Sequence, residues 1–315
     1  MTEKINQQMN LADIGMLVAL SVLWGGSFFF VEVLIKYLPP LTIVTLRVGL
    51  AALTLWGIII MLKFQIPKTR KYWGALAVVG LFSNALPFCL ITWGQTQISS
   101  GLASIFNATT PFFTVIVAGI FLADERITRR KLLGVIFGVF GATILIGPEA
   151  LRGMNGPVLG QLAVIGASIS YALSSVYSRR FKDWGLSPLI VVTGQVSMAT
   201  VILLPIMLIV DKPWEQPFMP LVAIGAIFGL VIFSTVIAFI LFFRLIASVG
   251  ATNATLVTFL IPISAVLLGV SFLGETFSGL QFIGMTLIGL GILVMDGRIY
   301  NLLRRGGNFI SKVNL

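Results

Sequence analysis

The side chains of this sequence that could do chemistry are few, and their types narrow what that chemistry can be. Histidine is absent and cysteine occurs once, as Cys89. The commonest metal ligand and the usual general base near neutral pH are therefore missing, and no intrachain disulfide can form. Two charged residues stand clearly within long apolar runs, Glu32 and Arg47. A charge at the bilayer centre costs at least about 2.5–3.5 kcal/mol, so one that persists has a partner or a task. Glu32 precedes Lys36 by four residues, the favourable order for a helical ion pair, and it can also reach Arg47. Structural pairing is one reading; the other makes Glu32 a proton-coupling carboxylate or outer-gate residue, with the proton as coupling ion.

Prolines and neutral polar groups supply the rest. Pro111 and Pro262 fall near the middle of two apolar runs. A mid-helix proline lacks an N–H and clashes with the carbonyl four residues earlier, here those of Asn107 and Thr258. Unpaired backbone at membrane depth is tolerated only inside protein or beside a watery cavity, and interrupted segments at corresponding positions point to a transport site. Packing kinks repaired by neighbouring helices are the alternative. Further candidates are Trp24, Ser27 and Phe28, then Asn84 with Pro87, Thr92, Trp93 and Gln95, then Tyr171, Ser174 and Ser175, and Ser234 with Thr235. Neutral hydrogen-bonding groups beside aromatic faces suit an amphipathic organic solute. Each single Ser or Thr also has a plainer reading, a helix–helix contact or a bond to its own backbone.

The elements that must hold these residues follow from composition. Apolar residues make up 57% of the 315 and charged residues 10%, and the mean hydropathy is +1.03. A soluble domain keeps about a quarter of its residues charged, so lipid must be the solvent of this chain. A helix crossing about 30 Å of hydrocarbon needs roughly 20 apolar residues. Cutting the chain at charged and Pro/Gly-rich breaks gives ten spans: 13–35, 41–62, 72–93, 101–122, 130–147, 158–177, 188–210, 218–243, 251–272 and 279–296. They lack the alternation of barrel strands. The first run, from Ile14 to Val31, is too long for a signal-peptide core.

Basic residues then fix the orientation. With the N-terminus in the cytoplasm, the inner side collects clusters such as Lys63, Lys68, Arg70 and Lys71, then Arg126, Arg129, Arg130 and Lys131, then Arg179, Arg180 and Lys182. The outer side receives only Lys36, Arg152 and Lys212. A lost span would reverse every later loop, so this asymmetry supports ten spans with both termini cytoplasmic. Spread in this way, the net charge of +10 is topological and no nucleic acid is expected as a partner.

The chain also aligns with itself. Pro40-Leu41 through Val44-Thr45 matches Pro188-Leu189 through Val192-Thr193. Ala103, Pro111, Phe121 and Leu122 pair with Ala254, Pro262, Phe272 and Leu273, and Glu125, Gly134, Gly141 and Gly147 pair with Glu275, Gly284, Gly291 and Gly297. Five spans per half is an odd number, so the halves, residues 11–147 and 158–297, insert upside down relative to each other. Residues 148–157 link them and 298–315 form a cytoplasmic tail. The expected fold is all-α, two inverted five-helix repeats around a central cavity, an architecture of many secondary transporters.

Leu23-Trp24-Gly25-Gly26-Ser27, Arg47 after Pro39-Pro40, Phe121-Leu122-Ala123-Asp124-Glu125 before Gly134 and Phe272-Leu273-Gly274-Glu275 before Gly284 resemble the drug/metabolite transporter superfamily, and within it the EamA-like branch. The resemblance covers roughly residues 11–297. It implies a cavity lined by helices 1, 3, 4, 6, 8 and 9 and export of metabolites or drugs, in a bacterial cytoplasmic membrane. The grouping on those helices makes Trp24, Ser27, Phe28, Asn84, Asn107, Tyr171, Ser174, Thr235 and Thr258 the expected binding set, with Glu32, Arg47, Pro111 and Pro262 for gating or coupling.

Other classes find less support. An intramembrane enzyme needs a metal, paired carboxylates or an activated nucleophile, and none can be assembled, so neither catalysis nor a cofactor is expected. A channel would carry a filter or charged ring. No GxxxxGK[ST] phosphate loop offers ATP coupling. Phosphate binding demands basic residues or helix N-termini aimed at the site. With no Lys or Arg expected there, neutral, zwitterionic or mildly cationic solutes such as amino acids are favoured over polyanions. Gly134-x-x-x-Gly138 and Gly225-x-x-x-Gly229 seat helices closely, inside a monomer or at a homodimer face.

Overall fold

A computed structural model describes residues 11–122, 128–146, 156–249, 257–274 and 278–296. All its described elements are helical, and no strand occurs among the described residues. The helices are α1 (Leu11–Leu34), α2 (Pro40–Met61), α3 (Arg70–Gln95), α4 (Ser100–Phe121), α5 (Arg129–Ile146), α6 (Gly156–Asp183), α7 (Pro188–Val210), α8 (Leu221–Phe228 continuing through Gly229–Ile237 into Ala238–Val249), α9 (Val257–Leu273) and α10 (Gly279–Asp296). Seven are long and apolar enough to cross a membrane, and three shorter apolar stretches lie in α5, α9 and α10. The protein is an integral membrane protein. Leu53, Ile60, Ile209, Leu221 and Phe228 stand exposed on its outside, as side chains solvated by lipid do.

Pro40 and Pro188 open α2 and α7, where a missing N–H costs nothing because the first turn has no partner for it. α6 runs past the apolar stretch ending near residue 177 because Arg180 stays on the helix, its Nε donating to the Tyr177 carbonyl at 2.9 Å. Gly185 at φ +67 then ends it, a backbone state glycine adopts without strain.

Neighbour relations repeat with a step of five helices. α1 packs on α9 as α6 packs on α4; α3 packs on α6 as α8 packs on α1; α3 packs on α7 as α8 packs on α2. Three pairs, α4 with α9, α2 with α7 and α5 with α10, map onto themselves. The last two run antiparallel. Thr42 at the start of α2 donates its N–H and its hydroxyl to the Asp211 carboxylate just past the end of α7, both at 2.7 Å. Further along, Trp56 donates Nε1–H to Ser197 at 2.9 Å.

The α5–α10 pair closes on glycine. A Cβ on Gly141 would lie 2.8 Å from the Gly284 carbonyl, and one on Gly291 would lie 2.7 Å from the Gly134 carbonyl. The pair Gly134 and Gly138 is thus used inside the chain. Gly225, by contrast, has open space where its Cβ would be, while a side chain on Gly229 would strike the Phe30 ring; only half of that second glycine pair seats a neighbour.

Candidate functional site

Three of the long helices lose regular geometry near their middle. α3 passes through a π-helical stretch, Leu81–Ala85, immediately before Pro87. The ring of Pro87 displaces the carbonyl four residues earlier, and one wider turn absorbs the displacement. Ser170 of α6 donates to the Phe82 carbonyl within that stretch at 2.7 Å. α8 has its own π-helical stretch, Gly229–Ile237, where the Thr235 hydroxyl donates to the Leu230 carbonyl five residues back at 2.9 Å. Such stretches concentrate at functional sites. α4 breaks outright at Ala108–Thr109, and its second half starts with Pro111 in the first turn. The carbonyl of Asn107 that Pro111 leaves without an N–H receives the Thr110 hydroxyl at 2.6 Å, so the backbone is repaired by a side chain.

Beside these irregular segments lies a cavity of about 260 Å³. Trp24 and Phe28 of α1, Phe88 of α3, Tyr171 of α6 and Phe239 of α8 give it aromatic walls, and Val31, Ile91 and Ile261 add aliphatic ones. Its polar lining comes from Ser27, Arg47, Ser83, Thr92, Gln95, Asn107 and Thr110. Trp24 is held from behind by Phe242 and edge-on by Phe239, with centroids 5.2 and 6.3 Å away.

Among the described residues Arg47 is the one cation on this wall. It is 8% exposed. Its Nε donates to the Thr235 hydroxyl at 3.2 Å and its guanidinium carbon lies 3.8 Å from the Phe88 ring centroid, a contact that favours a cation over an aromatic face. Among the described residues it forms no ion pair. Gln95 donates Nε2–H to the Phe28 carbonyl at 2.8 Å and to Glu32 at 3.4 Å. Its Oε1, like Oδ1 of Asn107, both amide atoms of Asn84 and Oγ of Ser234, is buried without a hydrogen-bond partner among the described residues. Buried polar atoms are normally satisfied; among these orphans Asn84, Asn107 and Ser234 lie in or beside the irregular helix segments, while Gln95 and a further one, Gln161 Oε1, do not.

The model of the EamA-like transporter family matches residues 12–147 and again 158–295. The chain belongs to that family. As a member of the drug/metabolite transporter superfamily it is a transporter, and the proteins it resembles are named accordingly. It is 27% identical over 260 residues, 81% of each chain, to the "Uncharacterized inner membrane transporter YedA" of Escherichia coli (strain K12). It is 22% identical over 258 residues, 80% of this chain and 86% of the other, to a transporter, YoaV, of Bacillus subtilis (strain 168). Over 167 residues, 53% of each chain, it is 27% identical to the "Probable amino-acid metabolite efflux pump" of Escherichia coli (strain K12). A solved crystal structure superposes with a TM-score of 0.65, covering 90% of this chain and 96% of that one, at 18% identity; the likeness is one of fold.

In this EamA-like transporter, Trp24, Ser27, Phe28, Arg47, Asn107 and Tyr171 of the expected residues line the cavity, and Thr235 touches it through Arg47. Asn84 and Ser174 are buried but do not line it. Thr258 belongs to α9, while its side chain lies outside the described residues. Pro262 is inside α9. Glu32 meets Gln95 rather than Arg47, which corrects the expected alternative pairing. A second correction concerns charge. The sequence keeps basic side chains away from the solute, yet α2 joins the cavity through Arg47, whose long stem carries the guanidinium inward to Thr235 and Phe88. Phe88, Thr110, Phe239 and Ser83 were not foreseen. Phe88 and Thr110 each adjoin a proline, Pro87 and Pro111, and that adjacency was the available signal.

A second cleft, of about 340 Å³, is lined by Phe29, Phe30, Phe233, Leu268 and Phe272 between α1, α8 and α9. Its lining is apolar apart from Ser234, which suits acyl chains better than a polar solute.

Proposed function

We propose that this transporter is a secondary carrier of a small organic solute, built as ten membrane spans in two inverted five-helix repeats that expose the Arg47 cavity to either side in turn. The observation that carries the reading is the antiparallel pairing of repeat-equivalent helices, α2 with α7 and α5 with α10, together with a cavity lined from both halves. Equivalent helices that meet antiparallel are related by a two-fold axis across the helices, and rocking about such an axis is how inverted repeats alternate access. The cavity lies just below the roughly 300–1,000 Å³ usual for drug-sized ligands, which favours a solute of metabolite size. The charge distribution of the loops supports both termini in the cytoplasm, and the relative named as an inner membrane transporter supports a bacterial inner membrane.

Counterflow in proteoliposomes tests the carrier directly: solute preloaded inside drives transient uptake of labelled solute in a carrier, and none in a pore or an enzyme. Glu32, one hydrogen bond behind the cavity through Gln95, is the candidate proton-coupling carboxylate. Glu32→Gln is expected to abolish pH-driven uptake while exchange persists; pH-driven uptake at the wild-type rate would remove Glu32 from that role.

A further inference from the structure

Resting on the carrier reading, we propose that the solute is an aromatic or branched apolar molecule bearing one carboxylate, held by the open edge of Arg47, and that it carries no ammonium group. A guanidinium offers five N–H donors in a planar fork matched to a carboxylate. Among the described residues only Nε is hydrogen-bonded, by Thr235. The terminal nitrogens have no protein acceptor among the described residues, although the side chain is more than nine-tenths buried and forms part of the cavity wall. A buried cation without a counter-charge is unfavourable unless something completes it, and a ligand carboxylate placed in the cavity does so with paired, charge-assisted hydrogen bonds.

The repeat sharpens the point. Counting from the matched Pro40 and Pro188, the position equivalent to Arg47 in the second half is Gln195. The backbone pattern therefore does not require a cation at this depth, since a neutral residue occupies the same place in α7. The walls opposite, Trp24, Phe28, Tyr171 and Phe239, fit a flat apolar body. They carry no negative charge to pair with an ammonium. No carboxylate lines the cavity among the described residues, and the two free amide oxygens, Gln95 Oε1 and Asn107 Oδ1, are buried, closed off from a solute in this state.

A matched ligand series on the full-length protein in detergent tests this. 3-Phenylpropionate, its amide, phenylalanine and phenethylamine share one body and differ in charge. Thermal unfolding and quenching of tryptophan fluorescence read binding, Trp24 being in the wall. The expected result is that 3-phenylpropionate binds at least tenfold more tightly than the amide, phenylalanine and phenethylamine. Arg47→Gln removes the preference for acid over amide; Arg47→Lys, which keeps the charge and loses the fork, retains the preference with weaker binding. Equal binding of acid and amide, tighter binding of phenylalanine or phenethylamine, absence of binding by the acid, or a preference that survives Arg47→Gln overturns the proposal. If Arg47→Gln does not fold, the wild-type comparison alone decides. Failure of the carrier reading looks different: the acid binds with the stated preference but shows no counterflow. Counterflow of phenethylamine with exclusion of the acid keeps the carrier and rejects the carboxylate.

Discussion

α2 and α7 begin alike and end in different chemistry. Both start on Pro-Leu, both bury a threonine that donates to the carbonyl four residues back (Thr45 to Leu41 at 2.7 Å, Thr193 to Leu189 at 2.8 Å), and they pack antiparallel on each other. Two residues after those threonines, α2 carries Arg47 and α7 carries Gln195. The scaffold is duplicated and the charge is not. Backbone and packing therefore follow a pattern both halves share, while the cation stands in one half only, where α8 and α3 supply Thr235 and Phe88 to hold the guanidinium.

Moving the charge breaks the comparison most severely. Gln195→Arg puts a cation where neither of those partners exists, and an uncompensated buried charge costs about 3–5 kcal/mol. A large drop in the unfolding temperature in detergent is expected, with no gain in transport when it is combined with Arg47→Gln. Arg47→Gln alone is expected to leave folding intact and to lower transport about ten- to hundredfold, the worth of hydrogen bonds to a charged group, about 1.5–3 kcal/mol. Loss of the folded protein instead, seen by size-exclusion chromatography, would make Arg47 structural.

The glycine seam gives the next largest effect. Gly141→Ala and Gly291→Ala each force a methyl against backbone of the opposing helix, an overpacking worth about 1–3 kcal/mol. The two should cost alike, because they are equivalent positions of a symmetric contact. Gly225→Ala, with open space, is expected to be neutral or mildly stabilising by thermal unfolding. The smallest effect sharpens the likeness of α2 and α7: Thr45→Val and Thr193→Val should each cost about 0.6 kcal/mol or less, and equally. Unequal costs would mean the halves pack differently around the two threonines.

Much of the fold was legible in sequence because lipid imposes it. Apolar runs cut at basic clusters give most helix ends within a few residues, α6 and α8 running six residues further, and Pro111 marks the break at Ala108–Thr109. The irregular stretch of α8 was not legible, since no proline announces it; the Thr235 hydroxyl bonding the Leu230 carbonyl is a packing outcome. The site was legible in part. Trp24, Ser27, Asn107 and Tyr171 were found by residue type and helix, and all reach the cavity. Arg47 was found as a residue and misjudged in reach, because where a long side chain ends depends on Thr235, distant by 188 positions in the chain. Asn84 has the right chemistry and follows the lining residue Ser83, but its position is turned off the wall, a rotation that periodicity in a largely apolar helix does not reveal.

The central claim is a cavity between two oppositely inserted halves that opens to one side at a time. Cysteines placed at Ser27 and Asn107, in a Cys89→Ala background and in vesicles of known orientation, measure it through labelling by a membrane-impermeant thiol reagent. The account predicts that both positions react from either side, and that a saturating solute on one face shifts reactivity reciprocally between the two. Labelling confined to a single face whatever the solute gradient, or at both faces simultaneously and independently of it, contradicts alternating access.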